Sequence, residues 1–369
     1  MSNSTHPIIF GSPRLYIQGV GVLSRLPEAV GSLGTTPFVV VDAVVHERLA
    51  TQLHLLGIRE ADIEIFNGEC TAAEIDRLAS RQHGDVIVGL GGGKAIDAAK
   101  GVAMARRLPI IVVPTAASND APTSRVVVVY DDQHRLSEGR FLPFNPDVLL
   151  VDTGIVAKAP PRLFAAGIGD AISKKFEVEL SVKGHGVNMF GGRPSHTAMA
   201  LADACYRQLR EHGQAATEAV RKGCVTDEVE RVVEANILLS GLAFESGGLA
   251  IAHSLTRGFA ALPETVGTLH GEVVAFGLLT QLILEGRPDA EVQDLIGFYR
   301  SVSLPSTFRG VGLTDPDSVT LRGIATHSLT AQYIQRSSNV FSAASIVDAM
   351  IRADTMGRAP GFDQTVPVH

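Results

Sequence analysis

Cysteine is scarce in this chain. It has three, Cys70, Cys205 and Cys224, an odd number scattered along 369 residues. Such a set builds no disulfide framework and is the usage expected of a reducing compartment. A basic stripe is also missing. The net charge is −7, which argues against nucleic acid as a partner. No uninterrupted apolar run approaches the ~18 residues of a membrane span, so no membrane partner is expected. The opening residues, Met1-Ser-Asn-Ser-Thr-His-Pro-Ile-Ile-Phe10, lack a basic stretch followed by a long apolar core, and no signal peptide is expected. Internal repeats and low-complexity tracts are absent. These absences together predict a soluble cytoplasmic protein.

The composition allows a real core. Hydrophobic residues make up 45% and charged residues 19%. The length exceeds that of a typical single domain, so two domains are expected.

One stretch organises the first half. Val86 to Leu90 is an apolar, β-branched run of strand length. Gly91, Gly92 and Gly93 then remove every side chain from the turn. Lys94 onwards reads as a helix, with Ile96, Ala99, Val102 and Ala103 at helical spacing. A strand, a bare turn and a helix start make an anion site, because free N–H groups and the positive end of the helix dipole meet there. Gly92 and Gly93 let a phosphate approach the backbone closely. The third glycine of the usual dinucleotide fingerprint is missing, and Ala95 stands where a P-loop needs Ser or Thr. A tight strand-to-helix turn with no ligand is the plainer alternative.

The flanking segments alternate in the same way. Leu15–Gln18, Phe38–Asp42, Ile63–Phe66, Leu108–Pro114, Val126–Tyr130, residues 140–142 and Val148–Asp152 read as strands. Between them, 21–30, His46–Leu56 and Thr71–Leu78 read as helices, the last opened by a capping box of Thr71 and Glu74. Buried runs alternating with helices imply a parallel sheet covered on both faces. Ligands of such sheets sit beyond the carboxyl ends of the strands, where Asp42, the glycines and Thr115 fall. Pro160-Pro161 marks a boundary. After it the segments become long and Ala-rich: Leu163–Leu180, Ser195–Glu211, Thr226–Leu242 and Gly271–Glu285 predict an all-α second domain. The tail from Met356 is expected to be loosely ordered.

Several residues have the chemistry of a site. Asp42, at a strand end, suits both hydroxyls of a ribose and would repel a 2′-phosphate, favouring NAD over NADP. A solvated loop acid or helix cap reads equally well. Thr115 and Ser118 can donate to phosphate or a carboxamide, and Asp120 can reach a substrate hydroxyl, although a plain loop would look much the same. In the helical half, Asp170 is an acid in an apolar stretch, His253 sits in an apolar context, and His270 opens another apolar helix. One Asp and two His can make a three-ligand, open zinc site. Each histidine taken alone reads as readily as a hydrogen-bonded core residue, and the chain has 12 histidines.

Taken together, Gly91-Gly-Gly-Lys-Ala-Ile-Asp97, Pro114-Thr-Ala-Ala-Ser-Asn-Asp-Ala-Pro122, Ala165-Ala-Gly-Ile-Gly-Asp170, Phe244-Glu-Ser-Gly-Gly-Leu-Ala-Ile-Ala-His253 and Leu269-His-Gly-Glu272 resemble the glycerol dehydrogenases. These lie within the larger group of iron-containing alcohol dehydrogenases and dehydroquinate synthase-like proteins. The resemblance implies an α/β parallel-sheet nucleotide-binding domain over 1–161, an all-α metal- and substrate-binding domain over 162–369, and a cleft between them. It implies zinc on Asp170, His253 and His270. It places the pyrophosphate of NAD on Gly92, Gly93 and Lys94, with Asp97 nearby. Thr115, Ser118, Ser124, Val126 and Tyr130 would line the adenine and nicotinamide parts, Asp42 would hold the adenosine ribose, and Asp120 would contact a small polyol. A homo-oligomer, with an octamer as the candidate state, is implied too.

The implied activity is NAD-dependent oxidation of glycerol or a similar vicinal diol to the hydroxyketone, with zinc activating the alcohol. The chain departs from the family at Thr256, where a second histidine is expected, and at Lys174-Lys175, usually apolar or small positions. Two enzyme alternatives stand beside this reading, and a non-catalytic NAD-binding protein of the same fold is a third. One is a same-fold dehydrogenase for a hydroxy acid or glycerol 1-phosphate, with Lys174, Lys175 or Arg257 supplying positive charge. The other is a dehydroquinate synthase-like lyase, which needs a glutamate where Asp170 stands.

Overall fold

The computed structural model describes residues 6–131, 135–335 and 341–359. Its strands are β1 (Leu15–Gly19), β2 (Pro37–Asp42), β3 (Ile63–Phe66), β4 (Val86–Gly91), β5 (Ile110–Pro114), β6 (Val126–Tyr130), β7 (Leu136–Phe141) and β8 (Val148–Asp152). Six of them form one parallel sheet in the order β1-β8-β5-β4-β2-β3, while β6 and β7 pair separately and antiparallel. Every residue of β4, β5 and β8 is buried. That is why these strands read as unbroken Val, Ile and Leu runs without alternation: both faces are covered. On one face Leu23, Leu26, Val39, Val41, Val88, Leu90, Ile111 and Leu150 pack into a single cluster.

The strand order decides where ligands can go. From β2 the chain steps outward to the edge strand β3, then returns to the other side of β2 as β4. The β2–β4 pair is therefore a switch point, and the crevice beyond its carboxyl ends is the place where such sheets bind ligands. Val41 pairs with Leu90 across it, which brings Asp42 to the glycine turn.

Several helices differ from their sequence expectations. The stretch 21–30 splits into a 3₁₀ turn, Val22–Arg25, and a helix, Leu26–Leu33, because Pro27 fits only a first helical turn. Thr71 caps the helix Ala72–Arg81 by accepting from Glu74 N, but the Glu74 carboxylate turns to Asn67 and Arg77, so half of the box is made. The expected helix Leu163–Leu180 is interrupted at Ser173, giving Pro161–Ile172 and Lys174–Lys183. Thr226–Leu242 becomes a helix, Asp227–Glu234, then a π-helical turn, Ala235–Leu239, before the helix Ser240–Gly247. The helix Ala343–Gly357 runs through Met356, where a loose tail is expected from sequence. The rest of that tail, from residue 360, lies outside the described residues.

The chain divides into two compact units. One is Gly11–Phe164 with Glu218–Gly241; the other takes in the described residues before Gly11, Ala165–Thr217 and the described residues from Leu242 on. The first unit holds the sheet, and its distant segment is tied in by polar bonds. Gln18 Nε2 donates to Glu230 O at 2.9 Å, Thr123 Oγ1 to Ile237 O at 2.6 Å, and Asn236 Nδ2 to Ala117 O at 3.1 Å. The second unit is helical. Phe276 lies at the centre of its aromatic core, with Phe259 at 6.0 Å and Phe308 at 5.2 Å between ring centres. Among the described residues, no single helix is long and apolar enough to cross a membrane.

Candidate active site

At the end of β4 the backbone needs glycine. Gly91 has φ +155°, and a Cβ there would stand 2.3 Å from Asp42 Oδ2. A Cβ on Gly92 would meet nothing nearer than 4.0 Å, so this backbone borders open space, as a phosphate cradle requires. On Gly93 it would come within 3.0 Å of Asn119 Nδ2. The helix Gly93–Arg106 starts here, and no side chain caps its first turn. Asp42 Oδ2 accepts from Gly92 N at 2.9 Å. Burial pushes the Asp42 carboxyl up, and the Gly92 N–H offsets this in part.

The other sequence candidates on this unit separate into two groups. Thr115 is tied to the turn, its N donating to Gly91 O at 3.0 Å, and Ser118 is half-buried beside it. Asp120 accepts from Ser240 Oγ at 2.8 Å. Lys94, by contrast, places its ammonium 2.7 Å from Glu69 Oε2 and over the Tyr130 ring. Asp97 is buried, with Oδ1 on Lys100 Nζ at 3.2 Å and Oδ2 on Val128 N at 3.1 Å. Both oxygens are thereby tied to the fold next to the glycine-turn helix. Ser124 is buried as well, and the Val126 carbonyl accepts from Lys100 Nζ at 2.9 Å. Tyr130 N donates to Cys70 O, and burial pushes the Tyr130 phenol far up.

Sequence reasoning missed Lys100, which is fully buried and also donates to Ala121 O at 2.5 Å. Its signal was a charge three residues after Asp97 on an otherwise apolar helix face.

In the helical unit, Asp170, His253 and His270 meet. Asp170 lies near the end of the helix Pro161–Ile172, His253 lies in the helix Ile251–Phe259, and His270 opens the helix His270–Leu284. Asp170 Oδ1 is 3.1 Å from His253 Nε2 and 3.8 Å from His270 Nε2, and one ligand atom from each residue falls within 4.8 Å of the others. Bonds of ~2.0–2.2 Å to a tetrahedral ion put ligand atoms about 3.3–3.5 Å apart, so the spacing suits a metal. Asp170 and His253 are buried, while the His270 side chain is 44% exposed, which leaves one side open. Close backbone contact makes this possible: a Cβ on Gly271 would stand 1.8 Å from Ala166 O, and one on Gly169 2.4 Å from Gly271 O.

Behind His253 stands Glu177, which sequence reasoning also missed. Its Oε1 accepts from Ala250 N at 2.9 Å and His253 N at 3.0 Å, and its Oε2 lies 2.5 Å from His253 Nδ1. A carboxylate on Nδ1 holds the proton there and aims Nε2 at the triad, the second-sphere arrangement typical of ligating histidines. The sequence signal was an acid two helical turns after Asp170, between Phe176 and Val178. Glu177→Gln is expected to lower metal affinity by roughly 10–100-fold while the fold survives. Zinc titration of the purified variant checks this, and unchanged affinity would remove Glu177 from the site.

Lys174 is the residue the family pattern does not anticipate. It is fully buried, and its Nζ lies 2.6 Å from Asp170 Oδ1, 3.1 Å from Asp170 O and 3.2 Å from His253 Nε2. Lys175 points elsewhere, to Asp203 and Glu179, and Arg257 is exposed. Thr256 Oγ1 bonds back to His253 O at 2.7 Å.

The charges shape one another. Burial works against the Asp170 carboxylate, but the Lys174 ammonium, the His253 hydrogen bond and His270 hold its carboxyl far below the usual range. For Glu177, burial is likewise outweighed, by His253 and then Lys174, and its carboxyl is held down. Burial lowers His253, yet Glu177 and Asp170 dominate and raise it to about 9. His270 is lowered, by burial at the triad first and then by the neighbouring His253 and Lys174 charges, with the Asp170 carboxylate pulling the other way.

A parallel sheet with a bare glycine turn at its switch point, and a carboxylate–imidazole triad in a helical unit, are the parts that a nucleotide- and metal-dependent enzyme needs. Residues 13–153 match the family model for iron-containing alcohol dehydrogenases. A glycerol dehydrogenase from Thermotoga maritima is 40% identical, with 94% of this chain and 96% of that protein covered. A glycolaldehyde reductase from Halobacterium salinarum is 39% identical over 95% of this chain and 98% of its own. The crystal structure of glycerol dehydrogenase from Schizosaccharomyces pombe superposes with a TM-score of 0.90 at 32% identity, covering 96% of this chain and 92% of that one. The chain belongs to the glycerol dehydrogenase family of iron-containing alcohol dehydrogenases.

Proposed function

We propose that this chain oxidises glycerol or a similar small vicinal diol to the hydroxyketone, with NAD as hydride acceptor and a zinc ion held by Asp170, His253 and His270. The observation that carries this reading is the convergence of those three side chains, with Glu177 behind His253. Full-length similarity to glycerol dehydrogenases supports the substrate class. When bound, the ion supplies Lewis acidity toward an alcohol oxygen, and the nicotinamide supplies the hydride acceptor.

The protein's own residues do the rest. The first-turn N–H groups of the helix Gly93–Arg106 bind the diphosphate, and Gly92 lets it come close. Asp42 orients the adenosine ribose. Glu177 fixes the His253 tautomer, and Asp170 contributes the anion. Gly11–Phe164 with Glu218–Gly241 carry the cofactor, and the helical unit carries the metal and substrate, a division close to the expected 1–161 and 162–369. Two imidazoles and a carboxylate suit zinc, and the same donors also accept iron or manganese. A cytoplasmic location, supported by the three free thiols, and a homo-oligomer up to an octamer complete the proposal. Light scattering on the purified protein checks the assembly.

The test is NADH formation with glycerol, 1,2-propanediol, glycerol 1-phosphate and hydroxy acids, each before chelation, after it, and after adding back zinc, iron or manganese. Diol-dependent NADH that chelation abolishes and zinc restores best is the expected result. NADH only from the phosphate or acid substrates would overturn the substrate class. Asp42→Ala should also cut the kcat/KM preference for NAD over NADP by about tenfold or more, since an acid at a strand end repels a 2′-phosphate. An unchanged ratio would take Asp42 out of the ribose site.

A further inference from the structure

Lys174 is placed against the two ligand atoms a metal ion needs most. Its Nζ donates to Asp170 Oδ1 at 2.6 Å and contacts His253 Nε2 at 3.2 Å, and no part of the side chain reaches solvent. Lys174 comes four residues after Asp170, just past the interruption at Ser173, and its Nζ also bonds Asp170 O at 3.1 Å. The ring of Phe244 lies 5.8 Å away on another side of the ammonium, so apolar and polar neighbours both hold it in position.

Two consequences follow from charge and valence. An imidazole nitrogen has one in-plane lone pair. Glu177 faces Nδ1 of His253, so Nε2 is the atom left for a metal, and it is the atom that faces Lys174 and Asp170. Asp170 likewise spends its charge on the nearest cation. A divalent ion that takes Asp170 Oδ1 and His253 Nε2 displaces the ammonium from those two atoms, and it feels like-charge repulsion beside two buried side chains.

Resting on the zinc reading given above, we propose that Lys174 is a built-in competitor for the metal: a tethered cation that takes the place of the ion on Asp170 and His253 and weakens the triad's hold on it. The site thereby keeps its carboxylate and imidazoles charge-balanced without a metal, and it exchanges the ion more easily than three such ligands would alone. Lys174 is thus a positioning residue whose effect is read in metal affinity.

The experiment is zinc titration of the full-length, chelator-stripped protein by calorimetry and by competition with a fluorescent chelator. Wild type, Lys174→Met, Lys174→Ala and His270→Ala are compared, and the melting temperature of each is recorded with and without zinc. Removing the ammonium is expected to tighten zinc binding by about tenfold or more. It is also expected to enlarge the rise in melting temperature that zinc produces. Zinc binding that appears only in the Lys174 variants would overturn the zinc reading for wild type, and the proposal with it. If zinc binds to wild type, His270→Ala loses it, and both Lys174 variants bind no tighter, the competition is overturned and the metal site stands. If His270→Ala binds as well as every other form, or no form binds, the zinc reading itself fails and the proposal falls with it. The shape-conserving Met variant keeps the comparison valid should the Ala variant fold poorly.

Discussion

Asp170→Asn is expected to unfold at far lower denaturant than wild type, to lose its metal, and to form NADH at least about a thousandfold more slowly. Asp170 is the shared anion of the triad. Lys174 lies 2.6 Å from its Oδ1, His253 3.1 Å and His270 3.8 Å. Removing the charge leaves a fully buried ammonium facing a neutral amide. Breaking a buried pair from one side costs about 3–5 kcal/mol, because the remaining charge cannot reach water. Equilibrium denaturation measures that cost. Adding Lys174→Met to Asp170→Asn removes the orphaned cation, so the double variant should recover much of the stability. It should recover none of the metal binding, since the oxygen ligand is still gone. Stability close to wild type in Asp170→Asn alone would mean that water already enters the site and that the pair is not buried in solution.

Gly271→Ala is the second large effect, and it acts through the backbone. The added methyl would stand 1.8 Å from Ala166 O and 3.1 Å from Asp170 N. Both of those atoms are main chain, so no side chain can swing away to relieve the contact. The helices carrying Asp170 and His270 would have to separate, and the triad would open with them. A loss of about 3 kcal/mol or more is expected, at the upper end for overpacking, together with loss of zinc binding. Gly297→Ala is the control. It sits within the helix Asp289–Val302, and a Cβ there meets nothing within 4 Å. It should stabilise by roughly 0.5–1 kcal/mol through helix propensity alone. Melting curves and zinc content of the two variants test the pair. A Gly271→Ala protein that keeps both stability and zinc would show that the two helices adjust to a wider spacing.

Some of the site was legible because its logic is local. A β-branched run, a turn without side chains and a helix start are consecutive in the chain, so the strand–glycine turn–helix unit at Gly91–Gly93 follows from reading one stretch. Asp42 reads as a strand-end acid for the same reason. The contacts of Lys94 and Asp97 were not legible, because their partners lie elsewhere along the chain: Glu69 and Tyr130 for one, Val128 for the other. The interruption at Ser173 and the π-helical turn at Ala235–Leu239 were hidden as well, since an apolar helical pattern looks the same on either side of a break.

By itself, then, the sequence determined the parallel-sheet half, the helical half, the glycine turn and three candidate ligands. Hydrophobic periodicity and backbone freedom act over a few residues and leave a local record. Tertiary structure alone decided that β2 and β4 are neighbours, so that Asp42 reaches Gly92 N at 2.9 Å. It alone brought Asp170, His253 and His270 together on three separate helices, put Glu177 behind one of them, and turned Lys174 into their midst. Those distances depend on how helices pack, here on two glycines that let main chains touch, and no spacing along the chain encodes that.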